Sequence, residues 1–367
     1  IVLQFAPTTA ISPDRVIKFL QSRKDARMSG ADRLRVTTST PDLTSRVQRI
    51  RELWRGCPPN PLSTRSIRSA TMSSFATTAD RAPIADQAPG RVTVSHPQRV
   101  PDAAMRAFAE ALGAAPVRTD AGFAHWHPDR VELAPLRTLA DRLGVDLAVT
   151  DRRRRLEDFK LIAFDMDSTV ITIECIDEIA DFAGLKDQVA AITEATMRGE
   201  IKDFNESLTR RVALLRGLPQ TVLDTVYAQR LALSPGVEAL LDGARAAGLR
   251  TLLVSGGFTF FTERLRERLG FDVARANELE IVDGKLTGRV LGDIVNAERK
   301  RQSVAEQCAA IGASPSQAIV VGDGANDLLM MSIAGVSVAY RAKPLVRAQT
   351  DAALNHGGLD AILRFFD

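Results

Sequence analysis

A chain of 367 residues, 45% hydrophobic and 25% charged, has room for two or three globular domains, and its lack of an apolar run near ~18 residues argues against an integral membrane protein. The net charge of +3 hides a basic first 75 residues, with 13 Lys/Arg against 5 Asp/Glu, whose arginines are scattered among Ser, Thr and Pro rather than clustered as in a nucleic-acid-binding arm. Cys57, Cys175 and Cys308 are widely spaced and the four histidines lack ligand spacing, which argues against a disulfide framework or zinc site and for a reducing, cytoplasmic setting.

Between Thr37 and Ala88 the chain is rich in Ser, Thr, Pro, Ala and Arg, with only brief apolar groups such as Ile50, Leu53 and Trp54. Such a stretch buries too little surface to offset chain entropy and is expected to be unfolded. The chain begins at Ile1, and Met72 opens a Ser/Ala/Thr-rich run. Residues 1–71 therefore read as an extension that the functional protein lacks, without the layout of a secretory signal. Residues 1–88 as a whole are expected to be disordered or non-native.

From Arg91 the pattern changes. Val92 and Val94 alternate as a strand, and Ala103, Met105, Phe108, Ala109 and Leu112 recur at helical spacing before Gly113. Phe123, His125 and Trp126 predict a strand, Leu133 to Leu143 a helix closed by Gly144, and Val145 to Val149 another strand. This β-α-β-β-α-β rhythm points to a small ferredoxin-like unit over residues 89–155. His125 and His127 read as strand residues rather than ligands, and Arg152 to Arg155 as a hydrophilic linker.

After Phe159 an alternating α/β pattern takes over, over residues 156–367. Leu161 to Phe164, Thr251 to Val254, Ala318 to Val321 and Val336 to Ala339 are apolar runs suited to a parallel sheet covered on both faces. Ser234 and Pro235 are expected to start a helix through Val237, Leu240, Leu241 and Ala244 that stops at Gly248. Asp283-Gly284 predicts a hairpin turn. The stretch from Glu174 to Leu233 lacks strand signals, which predicts a helical insertion, at about 174–233, between the first two strands of the sheet.

The chemistry gathers at strand ends. Asp165-Met166-Asp167-Ser168-Thr169 follows the first apolar run, where open α/β sheets hold ligands. Two carboxylates this close repel unless a cation or a proton intervenes, although a turn with an Asp cap would use the same residues. Val254 runs into Ser255-Gly256-Gly257, a hydroxyl and unencumbered amides suited to phosphoryl oxygens. Gly322-Asp323-Gly324-Ala325-Asn326-Asp327 ends the third run with two more carboxylates. Oxygen-only ligands point to Mg²⁺. Lys300 is a candidate cation for phosphate, or simply part of a solvated helix face with Arg299 and Arg301.

These segments, in this order, resemble the haloacid dehalogenase superfamily from Phe159 to the C-terminus. Acid at both Asp165 and Asp167, followed by Thr169, resembles its phosphohydrolases. Together with Glu174-Cys175-Ile176-Asp177-Glu178 and Val254-Ser255-Gly256-Gly257-Phe258, the motifs are similar to those of the phosphoserine phosphatase family. The resemblance implies a Rossmann-like core with a helical cap after its first strand, a small ACT-like N-terminal domain, and Mg²⁺-dependent hydrolysis of O-phospho-L-serine in serine biosynthesis. It implies Asp165 as nucleophile, Asp167 as general acid–base, and Ser255, Gly256 and Lys300 around the phosphoryl group. Asp165, the main-chain carbonyl of Asp167 and Asp323 would hold the metal, with Thr169 and Asp327 supporting them. Glu174, Met197, Phe204 and Arg211 would recognise serine, and Asn326 would contact the substrate near the phosphate. On a helix, Phe204, Ser207, Leu208 and Arg211 share a face, which also suits plain cap core. Other small phosphate esters, a phosphotransfer role or a serine-sensing regulatory protein remain open alternatives. A homodimer is compatible with the sequence.

Overall fold

A computed structural model of the chain describes residues 90–366, except Gly199 and the side chain of Met197. The expectations for residues 1–88, and Cys57 with them, lie outside the described residues. Every described residue belongs to one compact unit of the chain.

That unit is organised on one eleven-stranded sheet of order β2-β3-β1-β4-β11-β10-β9-β5-β6-β7-β8. Its first part follows the expected rhythm: β1 (Gly90–Ser95), α1 (Asp102–Leu112), β2 (Arg118–Asp120), β3 (Phe123–Trp126), α2 (Leu133–Leu143) and β4 (Asp146–Asp151). β1 pairs antiparallel with β3 and β4, and β2 with β3, which is the split-βαβ order. Ala104 and Phe108 of α1 and Leu136 and Ala140 of α2 are buried against Val92, Val94 and Trp126. Both helices end where glycine accepts the left-handed conformation, Gly113 at φ +63° and Gly144 at φ +66°. His125 Nε2 meets the Arg364 carbonyl at 2.8 Å. In the linker, Arg153 pairs with Asp151 at 2.8 Å and Arg154 donates to the Ser316 carbonyl at 2.8 Å.

The second part begins with β5 (Leu161–Phe164) and leaves the sheet for a cap of four helices: α3 (Cys175–Phe182), α4 (Lys186–Met197), α5 (Phe204–Leu214) and α6 (Thr221–Gln229). The chain returns through α7 (Val237–Ala246), β6 (Arg250–Phe258), α8 (Thr259–Leu269), β7 (Val273–Val282), β8 (Lys285–Leu291), α9 (Ala297–Ala310), β9 (Ala318–Gly322), α10 (Leu328–Ser332), β10 (Val336–Tyr340), α11 (Pro344–Arg347) and β11 (Ala352–Leu354). From β11 to β7 all neighbouring strands are parallel. Ile162, Phe164, Leu253, Ile319 and Val321 join one apolar cluster, while Leu161, Ala163, Leu252, Val254 and Val320 join another. The unbroken apolar runs thus serve two cores at once. Ile176, Ile179, Leu208, Val212 and Leu223 of the cap pack into the first. No helix among the described residues is long and apolar enough to cross a membrane.

Two local expectations change. The helix expected to be capped by Ser234 starts at Val237, behind Gly236 at φ +79°; a Cβ at that glycine would collide with Asp360. Ser234 instead closes the base of the cap, its N–H donating to the Val170 carbonyl at 2.9 Å beside the Thr172–Ala232 bond at 3.0 Å. The Asp283-Gly284 turn forms with both residues at positive φ, as a tight hairpin requires, but β7 begins far earlier than expected and its first half lies in parallel along β6. The sheet also runs without interruption past residues 155 and 156. β4 pairs with β11 through Ala148↔Ala352 and Leu147↔Ala353, and Asp146 accepts hydrogen bonds from the N–H groups of Asn355, His356 and Gly357 at 2.6, 2.9 and 2.7 Å.

Candidate active site

β5 delivers Asp165 to the end of the sheet, where it is buried and its N–H donates to the Val321 carbonyl at 3.0 Å. The strand stops there. Ser168 takes φ +56°, a conformation rare for a residue with a Cβ, and the tight turn keeps the next carboxylates at the same strand end. Asp165 Oδ1 accepts from the Met166 N–H at 2.8 Å, and Asp167 Oδ1 from the Cys175 N–H at the start of α3, at 3.1 Å. Ser168 Oγ donates to Glu174 Oε1 at 2.8 Å, and Thr169 Oγ1 to Asp323 Oδ1 at 3.2 Å.

β6 contributes Ser255, 1% exposed, whose Oγ accepts from the Gly257 N–H at 2.8 Å. Space is short at the glycines: a Cβ on Gly257 would lie 2.6 Å from Asp167 Oδ2, so something there would have to shift, and one on Gly256 would lie 3.2 Å from the Phe204 ring, a tight contact. α9 contributes Lys300. It is no solvated helix residue: at 1% exposure its Nζ lies 2.6 Å from Asp165 Oδ1 and 2.8 Å from Asp327 Oδ1, while Arg299 and Arg301 pair outside with Glu306 and Glu298, each at 2.6 Å. Asp327 Oδ2 accepts from the N–H groups of Asp323 and Gly324 at 3.2 and 3.0 Å. Sequence reasoning missed Asn277, whose Nδ2 donates to the carbonyls of Gly256 and Gly257 at 2.7 and 3.2 Å. A polar amide amid the strand run Ala274-Arg275-Ala276-Asn277 was the available signal.

The electrostatics are those of crowded anions. Burial, then the Asp327 charge, raises the Asp165 pKa, against the pull of Lys300. Burial and Glu174 push Asp167 up to about 7, and burial with Asp327 does the same to Asp323. Burial alone would lower the Lys300 pKa, but Asp165 and Asp327 overturn that and hold it above the usual lysine range. Asp165, Asp323 and Asp327 each offer an oxygen within 4.8 Å of the others. An all-oxygen, anionic donor set fits a hard divalent cation, which would relieve this repulsion. In this grouping the Asp327 carboxylate stands beside Asp165 and Asp323, while the Asp167 side chain turns to Cys175.

The cap closes over these residues. Phe204, opening α5 behind its Asp203 cap, lays its ring on Gly256, and Asn296 Nδ2 donates to Asn205 Oδ1 at 3.2 Å. Ser207 and Leu208 are buried inside the cap. The Arg211 Nε is buried without a hydrogen-bond partner among the described residues; burial lowers its pKa, opposed by Asp177, Glu174 and Asp167. Burial likewise raises the Glu174 pKa, offset by its Ser168 bond. Asn326 folds against Gly324. The Met197 side chain lies outside the described residues.

The chain is similar to known proteins. Residues 162–332 match the haloacid dehalogenase-like hydrolase family. A phosphoserine phosphatase of a Polaromonas species is 58% identical over 225 residues, which is 60% of this chain and 94% of that relative. The unliganded structure of a probable phosphoserine phosphatase from Vibrio cholerae matches with a TM-score of 0.65 and 36% identity, covering 76% of this chain and 86% of that one. A substrate-bound phosphoserine phosphatase complex matches with a TM-score of 0.54 and 35% identity, covering 57% of this chain and 99% of that one. The larger share in the Vibrio comparison extends the likeness beyond the catalytic segment.

Proposed function

Since the chain belongs to the phosphoserine phosphatases of the haloacid dehalogenase superfamily, we propose that it hydrolyses O-phospho-L-serine to L-serine and phosphate at the site between β5, β6, α9 and the cap. The observation that carries this reading is the buried Asp165 on Lys300, at 2.6 Å, with a second carboxyl, Asp167, tuned to about 7.

An Asp165 oxygen attacks phosphorus, and the bond from phosphorus to the serine oxygen breaks as Asp167 gives that oxygen its proton. The resulting aspartyl-phosphate is opened by water, from which Asp167 takes a proton, and Asp165 is regenerated. One difficult displacement becomes two easier ones. A pKa near 7 suits a group that must both give and take a proton. Lys300, the Ser255 hydroxyl and the Gly256 amide hold the phosphoryl oxygens as charge spreads over them. Asp165, Asp323 and the Asp167 carbonyl would hold Mg²⁺, with Asp327 and Thr169 orienting them; the ion supplies positive charge that offsets the phosphoryl oxygens. Glu174 takes the substrate ammonium and Arg211 its carboxylate, with Phe204 beside them and Asn326 near the phosphate. On this reading the reaction is the last step of the phosphorylated route to serine and takes place in the cytoplasm.

The segment 89–155, in split-βαβ order, is assigned as an ACT-like domain, and 156–367 as the catalytic domain with its cap at about 174–233. Phosphate release from O-phospho-L-serine, with and without Mg²⁺ and beside a panel of other small phosphate esters, tests the function. Turnover of phosphoserine that is no better than of the panel would refute the substrate assignment.

A further inference from the structure

Asn277 is 1% exposed in a strand, a position that disfavours asparagine. Its surroundings explain it. β6 and β7 pair at Val254↔Arg275 and again at Phe258↔Asn277, so three residues of β6 face one of β7 and the loop from Ser255 to Gly257 bulges out of the ladder. A bulge leaves backbone groups without ladder partners, and buried ones must find others. The Asn277 Nδ2 takes the carbonyls of Gly256 and Gly257, at 2.7 and 3.2 Å, while its Oδ1 accepts from the Val295 N–H at 2.8 Å. A flipped amide would set oxygen against two carbonyls and nitrogen against an N–H, so the orientation is determined by the network.

We propose that Asn277 is a positioning residue that sets the Ser255 hydroxyl for phosphoryl binding. This rests on the phosphatase reading above. A trans peptide points its C=O and N–H in opposite directions. Holding the Gly256 carbonyl toward Asn277 therefore turns the Gly257 N–H the other way, where it donates to Ser255 Oγ at 2.8 Å. One Ser255 lone pair is thereby occupied. Its hydrogen donates to nothing among the described residues, and at 1% exposure the hydroxyl is a buried donor kept for an incoming oxygen. The same amide grips Val295, next to the Asn296 cap of the helix that carries Lys300, where Asn296 Oδ1 accepts from the Arg299 N–H at 3.0 Å. Both arms of the phosphoryl cradle thus meet at one side chain.

A double-mutant cycle in the full chain tests this. Asn277→Asp keeps an oxygen for the Val295 N–H and loses both donors to the loop. Losing an oxyanion donor outright costs about 10²–10³-fold in kcat. Asn277 acts one step removed, so kcat on phosphoserine should fall about 10–100-fold, with inhibition by orthovanadate weakened in step. In a Ser255→Ala background the same change should cost less than about 3-fold, because the hydroxyl it positions is gone. Factors that multiply in the double variant, or a wild-type kcat for Asn277→Asp, would overturn the inference. Melting curves establish folding, and should Asn277→Asp not fold, Asn277→Ser, which keeps one donor, runs through the same cycle with the same two outcomes. Failure of wild-type protein to release phosphate from phosphoserine would instead remove the phosphatase reading itself.

Discussion

Replacing Arg211 with alanine separates recognition of serine from phosphoryl chemistry. Its guanidinium sits on α5 with a buried Nε that lacks a hydrogen-bond partner among the described residues, and Asp177, Glu174 and Asp167 act on it electrostatically against the effect of burial. Much of its desolvation is therefore already spent before substrate arrives, and a substrate carboxylate would find a planar donor fork with nothing to displace. Truncating one partner of such a charge-assisted contact in a closed site costs about 2 to 5 kcal/mol. That range corresponds to a loss of roughly 30- to 4,000-fold in kcat/KM for phosphoserine. O-Phosphoethanolamine keeps the ammonium and phosphate and lacks the carboxylate, so its kcat/KM should change by less than about 3-fold. The melting temperature should not fall, since the variant removes a partly buried charge that makes no ion pair among the described residues. Steady-state kinetics on both substrates decide the matter. Equal losses would mean that Arg211 acts on cap closure or on phosphate, and no loss on either would remove it from substrate recognition.

Asp165→Asn should abolish phosphate release while the protein still melts cooperatively, because an amide is a poor nucleophile; wild-type rates would refute the assignment. Asp167→Asn should slow turnover by about 10²- to 10⁴-fold, the usual worth of general acid–base help, and an unchanged rate at neutral pH would free Asp167 from that role. In the metal-free protein, Asp167 and Asp323 titrate near 7, above the unfolded carboxylate range, so the native state holds more protons between about pH 4 and 7 and loses stability as pH rises through that window. Mg²⁺ should therefore raise the melting temperature more at pH 8 than at pH 5.5, and an equal increment at both would contradict the crowded-carboxylate account.

The elements that could be read from residues alone were those with a long or periodic signal. The runs Leu161–Phe164 and Ala318–Val321 announce a two-faced sheet because every position is apolar, and Gly113 and Gly144 mark helix ends because only glycine takes positive φ cheaply. β11 could not be read this way: Ala-Ala-Leu is too short for any period, yet its pairing with β4 joins what reads as two units into one sheet. Ser234-Pro235 carries a good local start signal that tertiary structure overrides, since the chain there must first close the cap at Val170 and pass Asp360.

The site was legible wherever a side chain does chemistry and much less so where it holds another in place. Asp165, Asp167 and Asp323 stand out as charged residues at apolar strand ends, which burial without function would penalise, while Lys300 lies between Arg299 and Arg301 on a helix and only its burial sets it apart. The supporting groups have no such contrast. They arise because each functional strand leaves its ladder at the site, and the backbone groups released there must be taken up by something buried. The Asp327 carboxylate takes the Asp323 and Gly324 amides, the Asp167 carboxylate takes the Cys175 amide, and Asn277 takes the Gly256 and Gly257 carbonyls. Two of these three side chains belong to the motifs, so a single carboxylate both reacts or balances charge and repairs the backbone. Asn277 repairs the backbone from a neighbouring strand, where no spacing rule points to it, and only the register of β6 on β7 brings it to the loop it serves.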